Sequence, residues 1–155
     1  MATKLNLDKL DLQIIQTMMA DAGISYADLG KQLFVSGGTI HVRIKKLQEI
    51  GIVKGTKLNV DLKLLGYDIT AFVGIFLEKS SLYDQVAEDL KRIPEIIRLN
   101  YTTGNYSMFL EVVAKDIAQL RFVLHDELQK IKGIERTETF ISLDESFNRN
   151  VPVAG

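Results

Sequence analysis

The sequence predicts an α+β protein in two parts, three helices followed by a βαββαβ unit. Three observations predict it. The apolar period is helical through Leu47 and becomes two at Ile69. Charge divides along the same boundary: residues 1–62 carry a net +2 and the remainder a net −3. Between the halves, Asp61 to Asp68 reads as a hinge around Gly66. We therefore expect a first domain over residues 1–60, a linker over 61–68 and a second domain over 69–155.

In the first helix, Leu7, Leu10, Ile14, Ile15 and Met18 keep the helical period, with Asp8 as N-cap and Gly23 as its end. Ser25 caps a second helix with Ala27, Leu29 and Leu33 on an apolar side. Ser36 caps a third, where Ile40, Ile44 and Leu47 recur at i, i+4, i+7. A neighbouring stripe holds Thr39, Arg43 and Lys46. One greasy face and one basic face, behind a capped helix and a tight turn, make a helix-turn-helix. The alternative is an ordinary helical hairpin with a solvated basic face. Ile52 to Val60 alternates weakly, giving either a short wing (a winged-helix-like domain) or a plain connector.

Ile69 to Leu77 is a strand apolar on both faces. Ser81 caps a helix bearing Leu82, Val86 and Leu90, closed by Pro94. Ile96 to Thr103 and Ser107 to Ala114 are strands joined across Gly104-Asn105. Asp116 caps a helix with Ile117, Leu120, Leu124, Leu128 and Ile131 on its core side, ended by Gly133. Ile134 to Leu143 is the last strand, and the tail SFNRNVPVAG has little core content. The order βαββαβ is the ferredoxin-like plan, which leaves one sheet face without helices. A strand apolar on both sides requires that face to be covered. A second copy of the chain does so most simply, giving a homodimer.

The basic residues Lys31, Arg43, Lys45, Lys46, Lys54 and Lys57 face only Glu49 as local acid. Double-stranded DNA is the expected partner, since phosphate neutralisation supplies much of DNA affinity. Candidate DNA contacts are Ser36, Gly38, Thr39, His41, Arg43 and Lys46, with Arg43 reading a guanine edge and Lys46 meeting phosphate. His41 is either a base contact or a surface residue. Cysteine is absent and the two histidines lie far apart, so neither a metal nor a cofactor is expected. The pairs Asp126-Glu127 and Asp144-Glu145 read as solvated surface, since adjacent side chains point different ways. The start lacks an apolar h-region and no run approaches a membrane span, so the expected location is the cytoplasm.

The run VSGGTIHVRIKKLQEIGIV, followed by LGYD, YTTGNYS and TET, resembles the leucine-responsive/asparagine-responsive (feast/famine) family of transcriptional regulators, and most its asparagine-responsive members. The resemblance implies a nucleoid-associated bacterial regulator whose dimers assemble further, often into octamers. It implies a free amino acid as effector, asparagine first, held by the loop between the second and third strands. There Thr102, Thr103, Gly104, Asn105 and Tyr106 are the candidates, with Glu138 on the fourth strand for the ammonium group. From its residues alone the loop reads first as a polar hairpin, which commonly looks like this, and only second as a ligand cradle. Phe34 stands in the turn where the family often has Gly, a strained choice if positive φ is needed. Gly37 and Gly38 open the third helix and leave bare backbone that can approach a phosphate. Two other functions stay open: an architectural DNA-binding protein indifferent to small molecules, and a small-substrate enzyme, although no nucleophile or acid/base pair is evident.

Overall fold

The computed structural model describes residues 6–153. The described residues form two compact units, 6–59 with 147–153, and 60–146.

The first unit holds three helices: α1 (Lys9–Ala20), α2 (Tyr26–Leu33) and α3 (Gly37–Glu49). Each starts on the side-chain cap that its sequence offers. The Asp8 carboxylate accepts from Asp11 N–H at 2.9 Å, and Asp11 returns the bond to Asp8 N–H at 3.2 Å. This reciprocal pair satisfies two orphan amides of the first turn. Ile14, Leu29, Ile40, Ile44 and Leu47 form the buried core. Gly23 does not end α1. The helix stops at Ala20, and Gly23 N–H bonds the side chain of Asp21 in the loop beyond. Ala27 is exposed rather than apolar packing; the buried neighbour of Leu29 is Gly30. Residues 52–60 build no wing among the described residues, so the connector reading holds. Ile52 and Val53 instead donate to the Leu47 carbonyl and pack on the helical core. The tail returns to this unit, where Asn150 Nδ2 donates to the Met19 carbonyl at 2.7 Å.

The second unit begins with a turn in which Asp61 accepts from Lys63 and Leu64 amides, and Gly66 takes φ 87°. Its strands are β1 (Ile69–Leu77), β2 (Ile96–Tyr101), β3 (Met108–Ala114) and β4 (Ile134–Ile141), antiparallel in the order β2-β3-β1-β4. The order is that of the ferredoxin-like plan. Ala71, Val73 and Ile75 of β1 join Met108, Leu110 and Val112 of β3 in a core covered by α4 (Tyr83–Leu90) and α5 (Ile117–Arg121). Ser81 does not cap α4. Residues 80–82 form a tight 3₁₀ turn, and Leu82 N–H finds the Lys79 carbonyl. After α5 the coil widens into a π turn over Phe122–Glu127. The wider turn shifts the buried stripe to Leu120, Val123 and Leu128. Ile117, expected on the core, is 61% exposed at the first helical position, where side chains lean back off the helix end.

Candidate functional site

The helix-turn-helix is built on how α2 and α3 meet. A Cβ on Gly30 would lie 2.6 Å from the Val35 carbonyl oxygen, so the turn can close only over glycine. Gly37 likewise faces the α2 backbone, with Ala27 at 3.3 Å. Its bareness serves helix packing, whereas Gly38 lies open. The turn puts Phe34 in the left-handed region at φ 58° and ψ 39°, with its side chain 95% exposed. Ser36 Oγ then caps α3, accepting from Thr39 N–H at 3.0 Å and sharing a hydrogen bond with the Thr39 hydroxyl at 2.9 Å.

Arg43 does not lie free on this helix. Its guanidinium donates to Asp11 Oδ1 at 3.0 Å and also to Asp8 Oδ2, both at the start of α1. The Arg43 hydrogen bond, then that of the Asp11 amide, holds the Asp8 carboxyl below its ordinary range. The hydrogen bonds from Arg43 to the Asp8 and then the Asp11 carboxylate raise the guanidinium above its ordinary value. The exposed stripe, opposite Ile40, Ile44 and Leu47, runs through Gly38, His41, Val42 and Lys45 at i, i+3, i+4, i+7. Lys46 is exposed beside it. His41 stacks obliquely near Tyr26, with ring centres 5.8 Å apart.

In the second unit the loop after β2 is closed by Thr102, whose hydroxyl donates to the Tyr106 carbonyl at 2.7 Å. Thr103, Gly104 and Asn105 lie exposed at the tip, with Gly104 at φ 100°. Tyr106 turns back over the helix-free face of the sheet. Its ring occupies the space above Gly74, where a Cβ would sit 2.4 Å from the ring. It crosses β1 and donates its hydroxyl to Glu138 Oε2 at 2.6 Å. That bond raises the phenol above its ordinary value. Arg136 donates to the other Glu138 oxygen at 2.9 Å and stacks 3.6 Å over the Phe76 ring. The fourth strand therefore does not adjoin the loop: β1 lies between them, and Tyr106 spans it. Glu138 meets Tyr106 but already carries two donors, while the loop tip stands apart. Among the described residues no cluster of His, Cys, Asp or Glu could hold a metal ion.

Comparison with known proteins follows both halves. Residues 7–54 match a winged helix-turn-helix DNA-binding family, and residues 70–152 match the Lrp/AsnC ligand binding domain. The chain belongs to the Lrp/AsnC family. It is 42% identical over 146 residues to Regulatory protein AsnC of Haemophilus influenzae, covering 94% of this chain and 97% of that one. The AsnC of Escherichia coli is 39% identical over 145 residues, covering 94% and 95%. The solved structure of E. coli AsnC superposes with a TM-score of 0.88 over 94% of this chain and 97% of that one. A feast or famine regulatory protein from M. tuberculosis, complexed with L-methionine, gives 0.88 at 22% identity over 96% and 99%, which shows the fold. The present chain is thus a transcriptional regulator with a helix-turn-helix DNA-binding domain and an amino-acid-binding domain.

Within this Lrp/AsnC regulator, sequence reasoning missed Val42 and Lys45 as exposed members of α3. Their signal was available as the face opposite Ile40, Ile44 and Leu47. It also missed the aromatic cluster Phe72, Phe76, Phe109 and Phe140 around Tyr106. The alternation Phe72-Gly74-Phe76 was its signal, a gap between two large residues on one strand face. Among the described residues no helix is long and apolar enough to cross a membrane.

Proposed function

We propose that this regulator reads DNA through the exposed stripe Gly38, His41, Val42 and Lys45, entered at Ser36 and Thr39 and flanked by Lys46 on phosphate. The carrying observation is that this stripe lies opposite the buried one on a helix whose cap, turn and packing are all satisfied. In this reading Arg43 braces the helix instead of reading a base. A second copy covers Phe72, Phe76, Phe109 and Phe140, and the resulting dimer presents paired helices about 34 Å, or a multiple of it, apart. A free amino acid binds the second unit at the loop tip Thr103-Gly104-Asn105, with Thr102 and Tyr106 shaping the loop. Asparagine is the first candidate, supported by 39–42% identity to proteins named AsnC. Methionine is the second, since a solved relative is complexed with it. The unit binds its ligand and performs no chemistry on it. Binding should shift DNA affinity by about 1–3 kcal/mol of coupling, and DNA should shift ligand affinity equally.

The experiment is titration calorimetry with each amino acid, paired with fluorescence anisotropy on duplex DNA at several salt concentrations. Salt-dependent DNA binding with a response to asparagine is expected. DNA binding with no response to any amino acid favours an architectural protein. Absence of DNA binding overturns the reading of α3.

A further inference from the structure

We propose that Val42 is a specificity-determining residue that reads the 5-methyl group of thymine in the major groove. The inference rests on the reading of α3 as the DNA-binding helix and names what one position recognises.

Val42 is 66% exposed in the middle of α3. It is the one large apolar side chain exposed within that helix among the described residues. Nothing in the fold calls for it. The core stripe is filled by Ile40, Ile44 and Leu47, all buried. A β-branched side chain is also stiff in a helix and lowers its propensity. An alanine or a charged residue would serve the solvent better at that position.

What surrounds Val42 points to a partner. A helical side chain leans toward the N-terminus, so its methyls overlie the turn containing Gly38. There a Cβ would meet nothing nearer than Ser36 Oγ at 3.7 Å. The result is a shallow apolar spot beside bare backbone, flanked by the polar groups of His41 and Lys45. The major groove offers one apolar feature among its donors and acceptors, the thymine methyl, which is what an apolar side chain distinguishes there. A deoxyribose is the other apolar surface of DNA. It lies at the groove rim, whereas the middle of a docked recognition helix faces base edges.

The test uses the full chain. A site is first selected from a pool of random duplexes. Each thymine is then replaced singly by deoxyuridine, which removes only the methyl group. At one thymine per half-site, the substitution should weaken the parent protein about fourfold, the worth of one buried methyl-sized group. Val42→Ala should bind the thymine duplex about fourfold more weakly and be indifferent to that substitution. Its thermal unfolding should not move downward. If Val42→Ala retains the parent's sensitivity, or the parent shows none at any position, the assignment of Val42 fails while the DNA-binding reading stands. If the parent selects no sequence at all, the DNA-binding reading fails first.

Discussion

Arg43 of α3 and Asp11 of α1 are joined by a 3.0 Å hydrogen bond, and Asp11 is 2% exposed. A buried carboxylate at the start of one helix thus fixes α3, the second helix of the helix-turn-helix. Removing the guanidinium leaves that charge without its partner. Arg43→Ala should cost about 1–3 kcal/mol of stability. It should weaken binding to all duplexes by a similar factor, because the whole helix is displaced. Loss of discrimination at a single base pair, with unchanged thermal stability, would restore Arg43 to the role of a base reader. Pairing Arg43→Ala with Asp11→Leu should recover part of that stability, since no buried charge is then left unpaired, while the bond from Asp8 N–H to the Asp11 carboxylate is lost.

Acid should loosen the same junction. The Asp8 carboxyl lies below its ordinary value of 3.8 in the folded chain. A depressed folded pKa adds stability above the unfolded pKa and loses it as pH falls through the folded value. Stability of the helical unit should therefore be flat near neutrality and decline below about pH 4. Circular dichroism across that range measures it. Asp8→Asn should show a shallower decline; an identical profile would mean that Asp8 contributes nothing to it.

Phe34 holds a left-handed backbone that costs an L-residue about 1–2 kcal/mol. Phe34→Gly removes that strain along with an exposed ring. Its thermal midpoint should rise, by an amount equivalent to about 1 kcal/mol, and DNA affinity should stay unchanged. A lower midpoint would show that the ring stabilises the turn by contacts outweighing the strain.

Gly74 and Tyr106 should behave as a coupled pair. Gly74→Ala drives a methyl into the ring and should cost about 1–3 kcal/mol. In a Tyr106→Ser background the same change should cost little, because the space is empty. A double-mutant cycle on chemical unfolding gives the interaction energy. Additive costs would mean that the ring moves aside freely.

The fold was legible because its local signals agree. Asp8, Ser25, Ser36 and Asp116 each cap the helix they precede. The period-two stretch Ile69–Leu77 became β1 without a change of boundary. What stayed hidden depends on pairs distant in sequence. Thr39, Arg43 and Lys46 formed a convincing polar stripe, yet Arg43 is bound to residues 32 and 35 positions earlier. The π turn after α5 has no composition signal of its own, so a regular period places Leu124 on the core where Val123 is the buried residue. Glu138 met Tyr106 as an expected group, but across β1 and on the helix-free face, because strand order was not readable from the loop.

The exposed members of the α3 stripe make no side-chain hydrogen bond within the described residues, while the frame beneath them is over-determined. Gly30, Ser36, Asp11 and Arg43 each answer to a partner that tolerates little change. Among the described residues Gly38, Val42 and Lys45 have no such tie and His41 only stacks obliquely near Tyr26, and surface changes of that kind typically shift stability by no more than about 0.5 kcal/mol. If α3 reads DNA as proposed, mutation can redraw what this helix recognises while leaving its foldability untouched. Duplicated copies of such a gene are free to diverge toward new binding sites one residue at a time, without passing through an unstable ancestor.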